Sequence, residues 1–241
     1  MAKAGPMPAR LPIVLLTATL AAGTVAAPPA AAQRQQAQQQ TANDDIRLKT
    51  ALGFEYRLDP RWRLKLDTQL VLDRDISRAR NLQFRPGVEY AVTPNWAVLA
   101  GYVQYQYYPA GLISNRGPFQ DIAYGRNFGR LSLANRLRTE ELFFDNNSAL
   151  LVRTRYRLSV EHPLGDSPWG IVVSDEIYFN LKTDGTNRVA GYSKNEFYGG
   201  LVREIGPGAK VSAGYELTSY EPRGGLNEVH AIKLGLAFAL N

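Results

Sequence analysis

Cysteine is absent from the 241 residues, and histidine occurs only twice, at His162 and His230. The first absence excludes disulfides and thiolate metal sites, although an exported bacterial protein folds without either. The second leaves no metal-ligating constellation, because the two histidines are unpaired by spacing. Hydrolytic catalysis normally needs a histidine beside a nucleophile or acid. His162 falls in a turn before Pro163 and His230 on an apolar strand face, so an outer-membrane hydrolase is the least favoured function and no enzymatic activity is expected. Neither a phosphate-binding glycine loop nor a dinucleotide fingerprint occurs in a strand-to-helix setting. No cofactor is implied.

What is present begins with an export signal. Lys3 and Arg10 form a basic start, Leu11 through Ala22 is apolar, and Ala30-Ala31-Ala32 offers a small-residue cleavage site. Residues 1–32 therefore read as a signal peptide, the run being short and interrupted for a membrane anchor. Its removal leaves 26 basic against 22 acidic side chains, a formal +4. The basic residues alternate with apolar ones instead of clustering, so no nucleic-acid groove is expected. Residues 33–45 are Gln-rich with almost nothing to bury, and are expected to be a disordered periplasmic lead-in.

From Ile46 onward the chain alternates with period two. Leu48, Leu52, Phe54 and Tyr56 oppose Arg47, Lys49, Gly53 and Glu55, and further segments follow around 62–73, 80–92, 96–108, 131–144, 149–161, 169–182, 194–205 and 209–220, with a last one through 233–240. The parity of 96–108 rests on Gln104 and Gln106, which suggest that even positions face inward. Pro109 to Pro118 reads as a loop, and Phe119 to Arg126 as a short strand. Asp175 falls on an apolar face, for which a bulge or a rim position is the available explanation.

The clearest pattern surrounds the turn at 145–148. Arg136, Arg138 and Glu140 share one face of the preceding strand, and Arg153, Arg155, Arg157 and Glu161 one face of the next. An Arg facing lipid near mid-depth costs roughly 2–4 kcal/mol, so five would cost on the order of 10–20 kcal/mol. In a membrane this face must therefore line a lumen. The turn places Arg138 opposite Arg155 and Glu140 opposite Arg153, with Glu176 on the following strand beside Arg153 or Arg155.

The last segment carries an assembly pattern: Lys233, Gly235, Phe238 and Leu240, with Leu240 standing where an aromatic is usual and Asn241 following it. It resembles the C-terminal signal by which bacterial outer-membrane barrels are recognised by the barrel-assembly machinery. The expected fold is thus all-β: an antiparallel transmembrane β-barrel over 46–241, since only a closed barrel satisfies every strand's backbone in lipid. Eleven segments conflict with the even number usual in bacterial barrels, so twelve strands are favoured and ten are the alternative. A soluble sandwich or barrel is the weaker alternative.

Arg136-Leu-Arg-Thr-Glu140, Arg153-Thr-Arg-Tyr-Arg157, Ser174-Asp-Glu-Ile-Tyr-Phe-Asn180 and the 199–215 hairpin together resemble the family called domain of unknown function 2490. Where that pattern often has Asn-Arg, this chain has Asn195-Glu196. The resemblance implies an outer-membrane barrel and leaves the activity open.

Two functions compete for the lumen. A small passive channel would use the Arg rungs to attract anionic solutes. In a plugged, structural envelope barrel, Arg and Glu would instead pair and fill a narrow interior. Expected partners are outer-membrane lipid and, during biogenesis, the assembly machinery, with a monomer or small homo-oligomer as the assembly. Trp62, Trp96, Phe143, Phe144, Trp169, Tyr220 and Phe238 lie near strand ends and are candidates for interfacial girdles.

Overall fold

In the computed structural model, which describes residues 45–108, 114–145, 148–186, 188–220 and 227–240, eleven strands close into one barrel. They are β1 (Ile46–Arg57), β2 (Trp62–Asp73), β3 (Arg78–Ala91), β4 (Trp96–Tyr107), β5 (Ser114–Phe128), β6 (Leu131–Phe144), β7 (Leu150–Pro163), β8 (Trp169–Lys182), β9 (Gly191–Gly206), β10 (Ala209–Tyr220) and β11 (Asn227–Leu240). The expected signal peptide and all of the Gln-rich lead-in but Asp45 lie outside the described residues.

The strand number corrects the expectation of twelve or ten. Sequential neighbours pair antiparallel, but β1 and β11 close the barrel in parallel, from Ile46 opposite His230 to Tyr56 opposite Leu240. A closed meander whose first and last strands run the same way must have an odd number of strands. The sheet is accordingly mixed. Residue 45 and residue 240 then lie at opposite rims.

One rim carries the connections 58–61, 92–95, 129–130, 164–168 and 207–208. The other carries the 74–77 turn and the ends at which β4 gives way to β5, β6 to β7, β8 to β9 and β10 to β11, with longer connections between them. The tightest turns, at 129–130 and 207–208, belong to the first, where Gly129 and Gly208 take φ of +61° and +68°. We call this the short-turn rim.

Two further expectations are corrected. Residues 114–118, expected at the end of a loop, join the expected short strand 119–126 in the fifteen-residue β5, while 109–113 lie outside the described residues. Pro118 had argued for a loop because proline cannot donate to a ladder. Here the β5–β6 pairing simply skips Gly117 and Pro118, resuming at Phe119 opposite Glu140. β3 does the same at Pro86, where pairing with β4 jumps from Phe84–Gln104 to Gly87–Gly101.

In β4 the odd positions face inward, not Gln104 and Gln106. Leu99, Val103 and Tyr105 are buried against Phe119, Leu142 and Leu151, with Tyr107 and Phe144 packed beside them. The lumen towards the longer connections is thus filled by an apolar cluster, and polarity in β4 is inverted accordingly. Gly101 is part of the same packing: a Cβ there would stand 2.6 Å from the Phe119 ring and 2.5 Å from the Pro86 carbonyl.

The outer face is apolar. Leu64, Val88, Val98, Ile122, Leu137 and Leu234 are all exposed on it. Trp62, Trp96 and Trp169 open their strands at the short-turn rim, and Trp62 and Trp96 pack on Tyr90 and Tyr124 at 4.8 and 4.9 Å. Phe179 and Tyr192 meet nearer the other rim. Phe54 and Phe238 stack at 5.2 Å across the β1–β11 seam. Phe144, by contrast, belongs to the interior cluster and not to a girdle.

Candidate functional site: the charged lumen

Alternation sends one side chain in two inward, and the register of β5 to β8 then decides which of them meet. Arg136 lies opposite Arg157, Arg138 opposite Arg155, and Glu140 opposite Arg153. On β8, Glu176 lies opposite Arg157. Like charges opposed across a sheet are destabilising unless something intervenes, and three carboxylates do.

Arg138 forms a two-point pair with Asp121 of β5, Nε to Oδ1 at 2.5 Å and Nη2 to Oδ2 at 2.6 Å. Its guanidinium also sits 4.2 Å over the Phe119 ring. Glu140 accepts from Arg153 Nε at 2.6 Å and lies 3.6 Å from Arg155 Nη1. Arg153 also donates to the Tyr105 hydroxyl at 2.6 Å. Glu176 stands 3.2 Å from Arg155 Nε and 2.8 Å from Arg136 Nη2. Arg157 donates to the Ser174 hydroxyl, at 3.3 Å.

The network continues around the lumen. Arg155 donates to the Tyr178 hydroxyl at 3.3 Å, and Tyr178 donates to Glu196 at 2.8 Å. Glu196 takes Lys194 at 2.6 Å and Lys49 at 3.3 Å. Lys49 also pairs with Glu216, which accepts from Lys233 at 2.6 Å. A continuous set of charges and hydroxyls therefore links β5 through β11 to β1. Short charge-assisted bonds of this kind are stronger than neutral ones and fix the groups that make them.

Sequence reasoning missed Asp121, Tyr105, Tyr178 and the Lys49–Glu216–Lys233 group. Tyr178 and the lysines stood on the correct faces, but which strands adjoin across the seam is a property of closure. Asp121 sat in a short segment that mixes polar and apolar residues on both parities, and Tyr105 in the strand read with inverted parity.

Of the assembly pattern, Lys233 and Gly235 have odd parity and face the lumen, while Phe238 and Leu240 face outward; Leu240 is exposed. His230 lies on the outer face, its Nδ1 bonded to the Tyr215 hydroxyl, and His162 is exposed near the short-turn rim. Asp175 is neither at a bulge nor at a rim: it points outward from mid-strand and accepts from Asn195 Nδ2 at 2.7 Å. No group of metal-binding side chains occurs among the described residues.

Below the network, towards the short-turn rim, the lumen opens. A cavity of about 440 Å3 reaches the 93–95 turn, and a second of about 750 Å3 reaches the 206–209 turn; Lys65 and Arg136 line both. The volumes fall in the range of small-molecule sites.

Fold and interior together define a closed eleven-stranded β-barrel with an ion-paired lumen. The chain belongs to the family described as protein of unknown function (DUF2490), which matches residues 50–228. No curated protein matches it.

Proposed function

We propose that this protein is a bacterial outer-membrane β-barrel that crosses the bilayer with its strands and is closed by its own ion pairs. In this reading it is a non-conducting structural component of the envelope. The apolar outer face and the three tryptophans at one rim support the membrane setting, since aromatic girdles sit at the bilayer interfaces. Lipid is the partner of that face. The outward Phe238 and Leu240 and inward Lys233 and Gly235 are the surface offered to the assembly machinery. We propose no catalysis for it.

The observation that carries the closed reading is the burial of the network: Arg138 is 1% exposed and Glu140 0%. A selectivity rung must present its charge to passing solute, whereas these groups present theirs to each other.

The test is current through the refolded mature chain in a planar bilayer under a KCl gradient, after fractionation has located the native protein. Silence from protein that is folded and inserted is expected. A steady conductance with a reversal potential favouring chloride would replace this reading with a small anion channel. Exchanging Arg138, Arg155 and Arg157 for Gln would then lower its selectivity.

A further inference from the structure

We infer that the lumen below the ion-pair network is a binding site for a small organic carboxylate, reached from the short-turn rim and anchored by Arg157 with Arg136. The site does not depend on whether the barrel conducts.

Charge is the first argument. Arg136, Arg138, Arg153, Arg155 and Arg157 make five guanidiniums on β6 and β7, and they share three carboxylates, Asp121, Glu140 and Glu176. The two-charge excess is not spread evenly. Asp121 and Glu140 are taken up by Arg138, Arg153 and Arg155, and Glu176 is divided between Arg155 and Arg136. Arg157 has no carboxylate within ion-pair distance among the described residues, yet its strand places it directly opposite Arg136. Glu176, opposite Arg157 in the β7–β8 register, is turned to Arg136 and Arg155, so Arg157 stands beside Arg136 without an ion pair of its own. Both line the 440 Å3 cavity.

Shape is the second. Around these arginines the cavity is lined by small residues, Ala91, Ala97, Ala123, Gly125 and Ala134, of which Ala123 is the register partner of Arg136. Gly125 is not small for want of room: a Cβ there would find no atom nearer than 3.8 Å. The hollow is thus made by the choice of side chains, small apolar residues set beside a pair of guanidiniums. On another side Arg63 and Lys65 are already neutralised by two carboxylates, Glu89 at 2.8 and 2.7 Å and Glu55 at 3.4 and 3.3 Å. A planar carboxylate matches the guanidinium fork, and a compact hydrocarbon body matches the alanines.

The probe is benzoate, against its neutral analogue benzamide, titrated calorimetrically into the refolded chain in detergent at low chloride. Saturable benzoate binding is expected, at least roughly tenfold tighter than benzamide, because hydrogen bonds to charged groups are the strong ones. Arg157→Gln should weaken it by a similar factor, and Gly125→Leu, which fills the hollow and leaves every charge in place, should abolish it. Heat-modifiable migration reports whether each variant is folded. Should Arg157→Gln fail that check, Arg157→Lys and Gly125→Leu decide. No saturable binding at millimolar benzoate, equal binding of benzamide, or wild-type binding in folded Gly125→Leu would each overturn the site.

Discussion

Arg138 and Asp121 bind each other at two points, 2.5 and 2.6 Å, in an interior where both are buried. A buried pair of this kind contributes little against an apolar replacement, but breaking it leaves one charge without a partner, which costs about 3–5 kcal/mol. Asp121→Asn should therefore lower the unfolding free energy in urea by several kcal/mol. The double change Asp121→Asn with Arg138→Met should recover most of the loss. A double variant as unstable as the sum of its singles would show that the two residues act independently.

That pair also marks how far the sequence could be read. Arg138, Arg155, Glu140 and Arg153 were legible because their strands adjoin through one short turn, and period-two alternation across such a turn fixes both face and register. Asp121 was not, although it stands opposite Arg138 in the register, because the short segment 119–126 mixes polar and apolar residues on both parities and so fixes no face. Tyr105 was lost for a different reason. Reading Gln104 as inward assumes a polar lumen at every height, and near the longer connections the lumen is apolar. The seam was legible only in part: a closed barrel requires its first and last strands to pair, but nothing in Ile46–Tyr56 or His230–Leu240 says that they run parallel.

Asp175 tests the membrane setting from the outside. It is a carboxylate at mid-strand on the apolar face, accepting a hydrogen bond from the Asn195 amide. Charged groups on the lipid face of a barrel are destabilising, acids less so than bases. Asp175→Leu in lipid vesicles should raise unfolding stability by about 1 kcal/mol, and the gain should shrink in a thinner bilayer that brings the site nearer the interface. A loss of stability in lipid would mean that this face is covered by something other than hydrocarbon.

The 74–77 connection holds three consecutive residues in the left-handed region, with φ of 51° at Arg74, 51° at Asp75 and 66° at Ile76. The turn is held by the Asp75 N–H donating to Asp45 at 2.9 Å and the Ser77 hydroxyl donating to the Arg74 carbonyl at 2.5 Å. For a β-branched residue such a backbone is strained by roughly 1–2 kcal/mol. Ile76→Gly should relieve it, raising the urea midpoint by an amount equivalent to about 1 kcal/mol. Ile76→Val, which keeps the branch, should leave the midpoint near its starting value. Equal effects from the two would point to the lost side chain and not to the backbone.

Parallel closure makes a prediction that an even-stranded barrel cannot share. Asp45 bonds the backbone of Asp75, so the start of β1 lies at the rim of the longer connections, while Asp166 lies in the 164–168 turn at the other. An even-stranded meander would bring the start of the first strand and the end of the last to one rim, whereas here Ala239, near the end of β11, lies at the short-turn rim, its N–H donating to the Gly208 carbonyl. The chain has no cysteine, so single cysteines report without background. Short turns face the periplasm in bacterial barrels. An impermeant maleimide added to intact cells should therefore label Asp45→Cys and Asp75→Cys alike, and reach Asp166→Cys and Ala239→Cys only after the outer membrane is permeabilised. Labelling of position 239 together with 45 and 75 would require an even number of strands and an antiparallel seam. Labelling of 166 and 239 in intact cells, with 45 and 75 silent, would keep the parallel seam and reverse the orientation of the barrel.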